Sequence, residues 1–442
     1  MFEIFNEFCQ FRAVCDGEYD CRENCYMRFF KNVSSNEFEN YVNTLTDDGN
    51  NILQKNDLNG NRFVSLGGKI QINILYTPCE CEMRVTASKK DMTPCYEKKE
   101  FKNEFQTTFY GFESDQTLID CGMCLLVQCC DGSFFVVDSG HYFQMNDNDR
   151  IYKFMRERTP SGQKVIVSGW FITHAHTDHI SKLIDFLKYN TDDVIIEGFY
   201  QNLIRSDYKT DSDNHEENEM AEKLFGILEK FDAPVYKLHT GMKFFVRNLE
   251  FEVLSTHEDI YPDWVEDYND SSTVLMMTVD GSKVFIPGDA AVKQSAKLET
   301  RFGSSLKCDV VQVAHHGHTG LTKKCYEYLG AKVAVFPVTR IFYEEDLKKH
   351  EANAYLYKTA QNFVTGDGTV AIPLPYNGTV TKFPDETFED FEKIKRLWRY
   401  VYSEERKNEL YEQFLKNGGS EENLLLPTSR FGWIEPKPPV DE

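Results

Sequence analysis

Between His174 and His179 the chain reads His-Ala-His-Thr-Asp-His, and this segment restricts the fold more than any other. Three imidazoles and a carboxylate so close in sequence converge on one cation only where the backbone turns sharply. A loop between a strand end and a helix start provides such a turn. Both flanks are legible. Residues 164–172 read as a buried strand, and Ile180, Leu183, Ile184 and Leu187 recur at the i, i+3, i+4, i+7 spacing of one helix face. Imidazole nitrogen and carboxylate oxygen suit zinc, and also iron or manganese. The bland alternative, three unrelated surface histidines, asks for a coincidence in a chain with 11 histidines.

The strand and helix around this loop belong to a pattern that occurs twice. Apolar segments at 118–128 and 133–138 turn at Asp131-Gly132, followed by a helix near 149–158 and the strand at 164–172. Strand-like segments then return at 251–255, 273–279, 283–287, 309–314 and 332–337, with a turn at Asp280-Gly281 and helices between the later ones. This order predicts an α/β fold of two sheets packed face to face with helices outside, a four-layer αββα sandwich. We place that domain at 113–383. Residues 1–112 read as a small α+β unit. In it, Phe38, Tyr41 and Val42 mark a helix behind Ser34-Ser35, residues 63–76 form a hairpin, and Met83, Val85 and Ala87 alternate. Residues 384–442 read as a helical extension with an apolar stripe of Phe388, Phe391, Ile394, Leu397 and Trp398.

Composition narrows the setting. No segment approaches the roughly 20 apolar residues that span a bilayer. The start MFEIFNEFCQF lacks the basic residues of a secretory signal, and 13 cysteines then point to a reducing, cytoplasmic compartment. A net charge of −22 disfavours nucleic acid as a partner, because that binding rests on neutralising phosphates.

The motifs resemble those of the metallo-β-lactamase-fold hydrolases. His174-Ala175-His176-Thr177-Asp178-His179 matches their HxHxDH signature, Asp138-Ser139-Gly140 their early DxG turn, Gly288-Asp289 their GD motif, and His315-His316-Gly317 a later histidine at a strand end. Asn269…Ser272 together with the HHG triplet resembles the branch that holds DNA-uptake nucleases and phosphorylcholine esterases. The run Gly169–His174 is similar to uncharacterised bacterial members. The resemblance implies the four-layer fold and one or two zinc ions about 3.5–4 Å apart, with a hydroxide between them of lowered pKa. It implies His174 and His176 on the first metal, Asp178 and His179 on the second, and Asp289 bridging. It implies a histidine of the 315/316 pair on the second metal. Asp178 would also orient the nucleophile.

Two further assignments complete the set. Adjacent residues leaving a strand point to opposite faces, so we expect His315 as the ligand and His316 towards substrate or a supporting position. His257, at a strand end, is the candidate third ligand of the first metal, with an ordinary loop histidine as its other reading. His215 and His318 read as loop residues, Cys121 and Cys124 as buried thiols, and Cys9, Cys15, Cys21 and Cys25 as too irregularly spaced for a zinc knuckle. Residues 365–368 read as a turn, without the Lys-Ser/Thr pair of a phosphate loop.

The leading expectation is therefore a zinc-dependent hydrolase of a small phosphodiester or other ester. The alternatives are a nuclease of the same fold, an iron-dependent oxidoreductase in the same metal cradle, and a non-catalytic metal-binding module. The flavin-linked oxidoreductases of this fold carry Glu where this chain has His176, and Lys323 and Lys324 alone make a poor basic groove for a nuclease.

Overall fold

The computed structural model describes residues 2–89, 93–114, 119, 121–144, 147–208 and 215–383. The expected helical extension at 384–442 and its apolar stripe lie outside the described residues, as does Leu118, where the first hairpin strand was expected to begin.

The first elements are β1 (Gly17–Asp20), β2 (Cys25–Phe30), α1 (Ser35–Asp47), β3 (Asn51–Leu58), β4 (Asn61–Gly67), β5 (Gln71–Thr77) and β6 (Glu82–Ser88). The strands pair antiparallel in the order β1-β2-β6-β5-β4-β3. A capping box starts α1: Glu37 N–H donates to Ser34 Oγ, and Ser34 N–H donates back to the Glu37 carboxylate. Its face of Phe38, Tyr41, Val42 and Leu45 packs on Ile70, Ile72, Ile74, Tyr76, Met83, Val85 and Ala87, which alternate as the sequence indicates.

The first sandwich sheet takes β7 (Thr108–Gly111), β8 (Cys124–Gln128), β9 (Phe134–Asp138), β10 (Val165–Ile172), β11 (Val194–Ile196), β12 (Phe199–Gln201) and β13 (Val235–Lys237), with α2 (Asp147–Arg158), α3 (Thr177–Tyr189) and α4 (His215–Leu228) between them. The second sheet takes β14 (Lys243–Val246), β15 (Leu249–Ser255), β16 (Val274–Val279), β17 (Ser282–Ile286), β18 (Val310–Gln312), β19 (Val333–Phe336) and β20 (Gln361–Val364), with α5 (Val292–Arg301), α6 (Lys323–Leu329), α7 (Arg340–Glu345) and α8 (Glu351–Thr359). β21 (Thr369–Pro373) and β22 (Thr381–Phe383) then return to the first sheet. Its order is β13-β12-β10-β9-β8-β7-β21-β22, with β11 beside β10, and the second sheet runs β14 to β20 in sequence. β7 thus belongs to the sandwich, so the expected boundary at 112/113 cuts a few residues too late.

Period-2 alternation assigns each strand's side chains to one of two cores. Leu125, Val127, Phe135 and Val137 meet Phe251, Val253, Leu275 and Met277 between the sheets. Their neighbours Cys124, Leu126, Phe134 and Val136 face Ile151, Met155, Ile180, Leu183 and Ile184 of α2 and α3. Beyond the second sheet, Val274, Met276 and Phe285 pack under Leu298, Cys325 and Tyr326 of α5 and α6. These three cores make the four-layer αββα sandwich, and each fully buried apolar side chain contributes about 1.5–3 kcal/mol. Among the described residues no helix is long and apolar enough to cross a membrane.

The N-terminal sheet docks on the sandwich through the face opposite α1. Phe63 of β4 enters the inter-sheet core. Arg84 of β6 donates to the carbonyls of Glu258, Asp259 and Tyr261 at 3.0, 3.2 and 3.0 Å. Gly241 permits the approach, because its φ is +93° and a Cβ there would lie 2.6 Å from Phe63 Cβ. Gly241→Ala should therefore cost about 2 kcal/mol or more in urea unfolding, from backbone strain and the clash together. An unchanged midpoint would contradict this docking.

Candidate metal centre

The site lies where strands of both sheets end. β9 ends at Asp138, in left-handed backbone with φ 54°. Its fully buried carboxylate accepts from Thr173 N at 2.9 Å, Thr173 Oγ1 at 2.7 Å and His179 Nδ1 at 2.7 Å. Ser139 Oγ donates to the His179 carbonyl at 2.7 Å. The Asp-Ser-Gly turn thus holds the histidine loop at both ends. Burial pushes the Asp138 carboxyl up, against the pull of His179 and Thr173. α3 begins immediately after His176, and its first N–H finds a carboxylate from elsewhere: Glu217 of α4 accepts from Thr177 N at 2.6 Å and from Thr177 Oγ1 at 3.0 Å.

Four side chains converge from three places. Asp178 and His179 of α3, Asp289 after β17 and His316 after β18 each offer a ligand atom within 4.8 Å of the others, and all are buried. His316 Nε2 lies 2.9 Å from Asp178 Oδ2, and His179 Nε2 lies 3.2 Å from His316 Nε2. Asp289 Oδ2 is 3.2 Å from His179 Nε2, 3.4 Å from His316 Nε2 and 3.9 Å from His174 Nε2. It stands between this group and a second pair, His174 Nε2 and His176 Nδ1, which meet at 3.1 Å. Asn269 Oδ1 lies 2.8 Å from His176 Nδ1. Tyr268 meets the His176 ring edge-on at 5.6 Å.

Proton accounting fits a cation. His179 Nδ1–H donates to Asp138, and His316 Nδ1–H donates to the Pro337 carbonyl at 2.8 Å. Thr173 Oγ1, whose proton goes to Asp138, accepts from His174 Nδ1–H at 2.9 Å. Each outer nitrogen is thereby a donor, which leaves each Nε2 lone pair facing inward. Asp289 Oδ1 is buried with no hydrogen-bond partner, a costly arrangement that a cation would relieve. Burial opposes ionisation of Asp178 and Asp289, but the positive charge that His179 and His316 carry when a proton rather than a cation occupies Nε2 outweighs it and holds both carboxyls well below their usual range.

Two sequence expectations are corrected here. His316, not His315, joins Asp178, His179 and Asp289. The alternation argument fails because β18 ends at Gln312 and both histidines take left-handed backbone, with φ 52° and 54°. His315, which is only partly buried, points towards the first pair, with Nε2 3.4 Å from Asn269 Nδ2. His257 is not at the centre. It is buried elsewhere, accepting at Nδ1 from Tyr19 Oη and donating from Nε2 to Asn202 Oδ1, each at 3.0 Å. Burial pushes its pKa down to about 4, so both nitrogens of a neutral ring are already used. His215 lies at the start of α4 rather than in a loop, exposed beside Glu219. Cys124 is a core thiol, and residues 365–367 form the expected turn.

Other residues of the site were not read as such from the sequence. Asn269 served only as a branch marker, yet its amide stands where a third ligand of the first pair would. Glu217 and the buried His141, whose Nδ1 accepts from Phe143 N at 3.0 Å, carried no sequence signal.

No protein-family model and no curated protein matches the chain. Among solved structures it is similar to the metallo-beta-lactamase fold protein YhfI from Bacillus subtilis, at 12% identity over 58% of this chain and 96% of that one, with a TM-score of 0.37. It is also similar to yeast PDE1, at 10% identity over 59% and 98% with a TM-score of 0.36. For the short form of human tRNase Z the figures are 11%, 52%, 91% and 0.30. The sandwich topology and the site at its strand ends agree with the metallo-β-lactamase fold that the motifs resemble. At these TM-scores the likenesses decide nothing about chemistry, which rests on the side chains above.

His316→Ala should remove tightly held metal, counted by elemental analysis after gel filtration, whereas His315→Ala should retain it; the reverse pattern would contradict the grouping. Asp138→Asn, which disturbs the His179 tautomer, is expected to weaken metal affinity about 10- to 100-fold by competition titration. Unaltered affinity would mean that the turn is not a support.

Proposed function

We propose that this chain is a metal-dependent hydrolase that cleaves a small phosphodiester or other ester, with zinc as the metal. The observation that carries the reading is the placement of Asp289 Oδ2 within 3.2–3.9 Å of His179, His316 and His174. One carboxylate oxygen reaches both groups of ligands, the requirement for two cations that share a ligand. Asp178, His179, Asp289 and His316 would hold one cation. His174 and His176 would hold the other, with Asn269 Oδ1 as a weak neutral ligand. When bound, such cations supply Lewis acidity towards a scissile oxygen and make water acidic enough to act near neutral pH.

The protein's own groups do the rest. The carboxylates of Asp178 and Asp289 offset the cationic charge and orient the attacking water by accepting its hydrogen bonds. Asp138, Thr173 and the Pro337 carbonyl keep three imidazoles in the ligand tautomer. His315, partly buried beside Asn269, would take the substrate-facing position that the sequence reading gave to His316; its buried Nδ1 has no hydrogen-bond partner among the described residues. The strongly negative chain favours a small substrate over a nucleic acid, and its 13 cysteines suit a cytoplasmic setting.

The test is turnover of nitrophenyl phosphodiesters and carboxylic esters by zinc-loaded protein. Asp289→Ala should lower kcat/KM by about 10²–10³-fold or more, the scale on which one preorganised electrostatic group acts. Equal turnover in that variant would contradict the shared-ligand role. No turnover of any ester by the zinc-loaded wild-type chain would overturn the hydrolase reading and leave a metal-binding module.

A further inference from the structure

Away from the metal centre, the β1–β2 hairpin carries a second cluster of reactive groups. Its turn, Arg22-Glu23-Asn24, places three consecutive non-glycine residues in left-handed backbone, with φ of 70°, 47° and 58°. L-residues rarely adopt such a run, and where one occurs it needs outside support. Here Glu23 pairs with the buried Lys237 Nζ at 2.7 Å, and the Arg22 guanidinium lies 3.2 Å from the Phe225 ring centroid. Cys25 N donates to the Arg22 carbonyl at 2.8 Å, and Cys21 N to the Cys25 carbonyl at 2.9 Å. The tight turn sets Cys21 and Cys25 opposite each other across the hairpin, joined by the bond from the Cys21 N–H to the Cys25 carbonyl.

Cys25 has a second partner. His239 Nε2 lies 3.9 Å from its sulfur, and the Glu258 carboxylate holds His239 Nδ1 at 2.9 Å from both oxygens. Asn202 Nδ2 in turn donates to Glu258 Oε1 at 3.0 Å. Thiol, imidazole and carboxylate in line form the arrangement that activates a nucleophile. The other charged or titratable groups packed around it include Lys237 with Glu23, the neutral His257 with Tyr19, Tyr26 and Asp20 on the hairpin, and Arg84, which donates to the Glu258 carbonyl. Cys25 and Glu258 are 1% and 4% exposed. A crevice of only about 10 Å³ between the N-terminal sheet and the sandwich reaches His239 and Glu258. Neither cysteine lines it, and at about the volume of one water it excludes a tripeptide disulfide.

We infer that Cys21 and Cys25 are a redox-active dithiol whose oxidant is a small hydroperoxide, with Cys25 attacking and Cys21 resolving. The Cys25 thiolate attacks the terminal peroxide oxygen; an S–O bond forms, the O–O bond breaks, and the leaving oxygen takes a proton from the His239 imidazolium and departs as water from hydrogen peroxide or as an alcohol from an organic hydroperoxide. The Cys21 sulfur then attacks the Cys25 sulfenic acid. An S–S bond forms, the S–O bond breaks, and the departing oxygen leaves as water with the Cys21 proton. Two thiols lose two electrons, peroxide gains them, and a thiol reductant reverses the change.

Trypsin reads the result directly, because Arg22 lies between the two cysteines. Cleavage after Arg12, Arg22 and Arg28 separates Cys21 from Cys25 unless a disulfide joins the peptides. The full, reduced chain treated with one equivalent of hydrogen peroxide should yield the joined peptide pair. The same pair should form in the Cys15→Ser variant, since Cys15 shares the first peptide. The rate should rise with pH through a midpoint below the ordinary thiol value of about 8.5, because Cys21, His239 and Lys237 lower the Cys25 thiol against its burial. His239→Gln should slow it at least about tenfold. Three results would each overturn the inference: oxidation of exposed Cys79 and Cys81 with no joined pair, a pair lost in Cys15→Ser, or a wild-type midpoint near the ordinary thiol value.

Discussion

The carboxylate of Asp138 holds the site together. It is fully buried, and its three hydrogen bonds fix the backbone of Thr173 and the rings of His179 and, through the Thr173 hydroxyl, His174. A strand of the first sheet thereby sets the geometry of a loop that must meet Asp289 and His316 from the second. Without that carboxylate, His179 could turn either nitrogen inward, and the lone pairs would no longer converge. The left-handed turn at Asp138 is a local cost of this arrangement, borne by the apolar cores on both sides.

The two halves of the centre are unequal. One has two imidazoles and two carboxylates, all buried. The other has two imidazoles and the Asn269 amide, with Asp289 shared at 3.9 Å from His174 Nε2. Charge and ligand count therefore favour the Asp178, His179, Asp289 and His316 group as the tight site. The His174 and His176 side is weaker and lies next to partly buried His315. On the proposed reading, this is the side where substrate would complete the ligand set.

Much of the sandwich was legible because its strands are buried on both faces and flanked by clear turns. Residues 164–172, 273–279 and 283–287 read as apolar runs of strand length, against Val165–Ile172, Val274–Val279 and Ser282–Ile286 in the structure, and the α3 stripe read as a helix face. The histidine loop and Asp289 were legible because consecutive residues and strand ends fix them. What was not legible depends on backbone sign or on distance along the chain. The order of His315 and His316 turned on left-handed backbone that strand alternation does not foresee. His257 was drawn away by Tyr19, 238 residues earlier, and the α3 start is met by Glu217, 40 residues on. The irregular spacing of Cys21 and Cys25 concealed a partner, His239, that lies 214 residues from Cys25.

The most direct measurement is an anomalous difference map from crystals of the zinc-loaded protein, collected at the zinc edge. The account predicts its strongest peak about 2.0–2.2 Å from His179 Nε2, His316 Nε2 and the Asp289 carboxylate, with any second, weaker peak beside His174 and His176. A strongest peak on His315 or His257, with His316 uncoordinated, would contradict it.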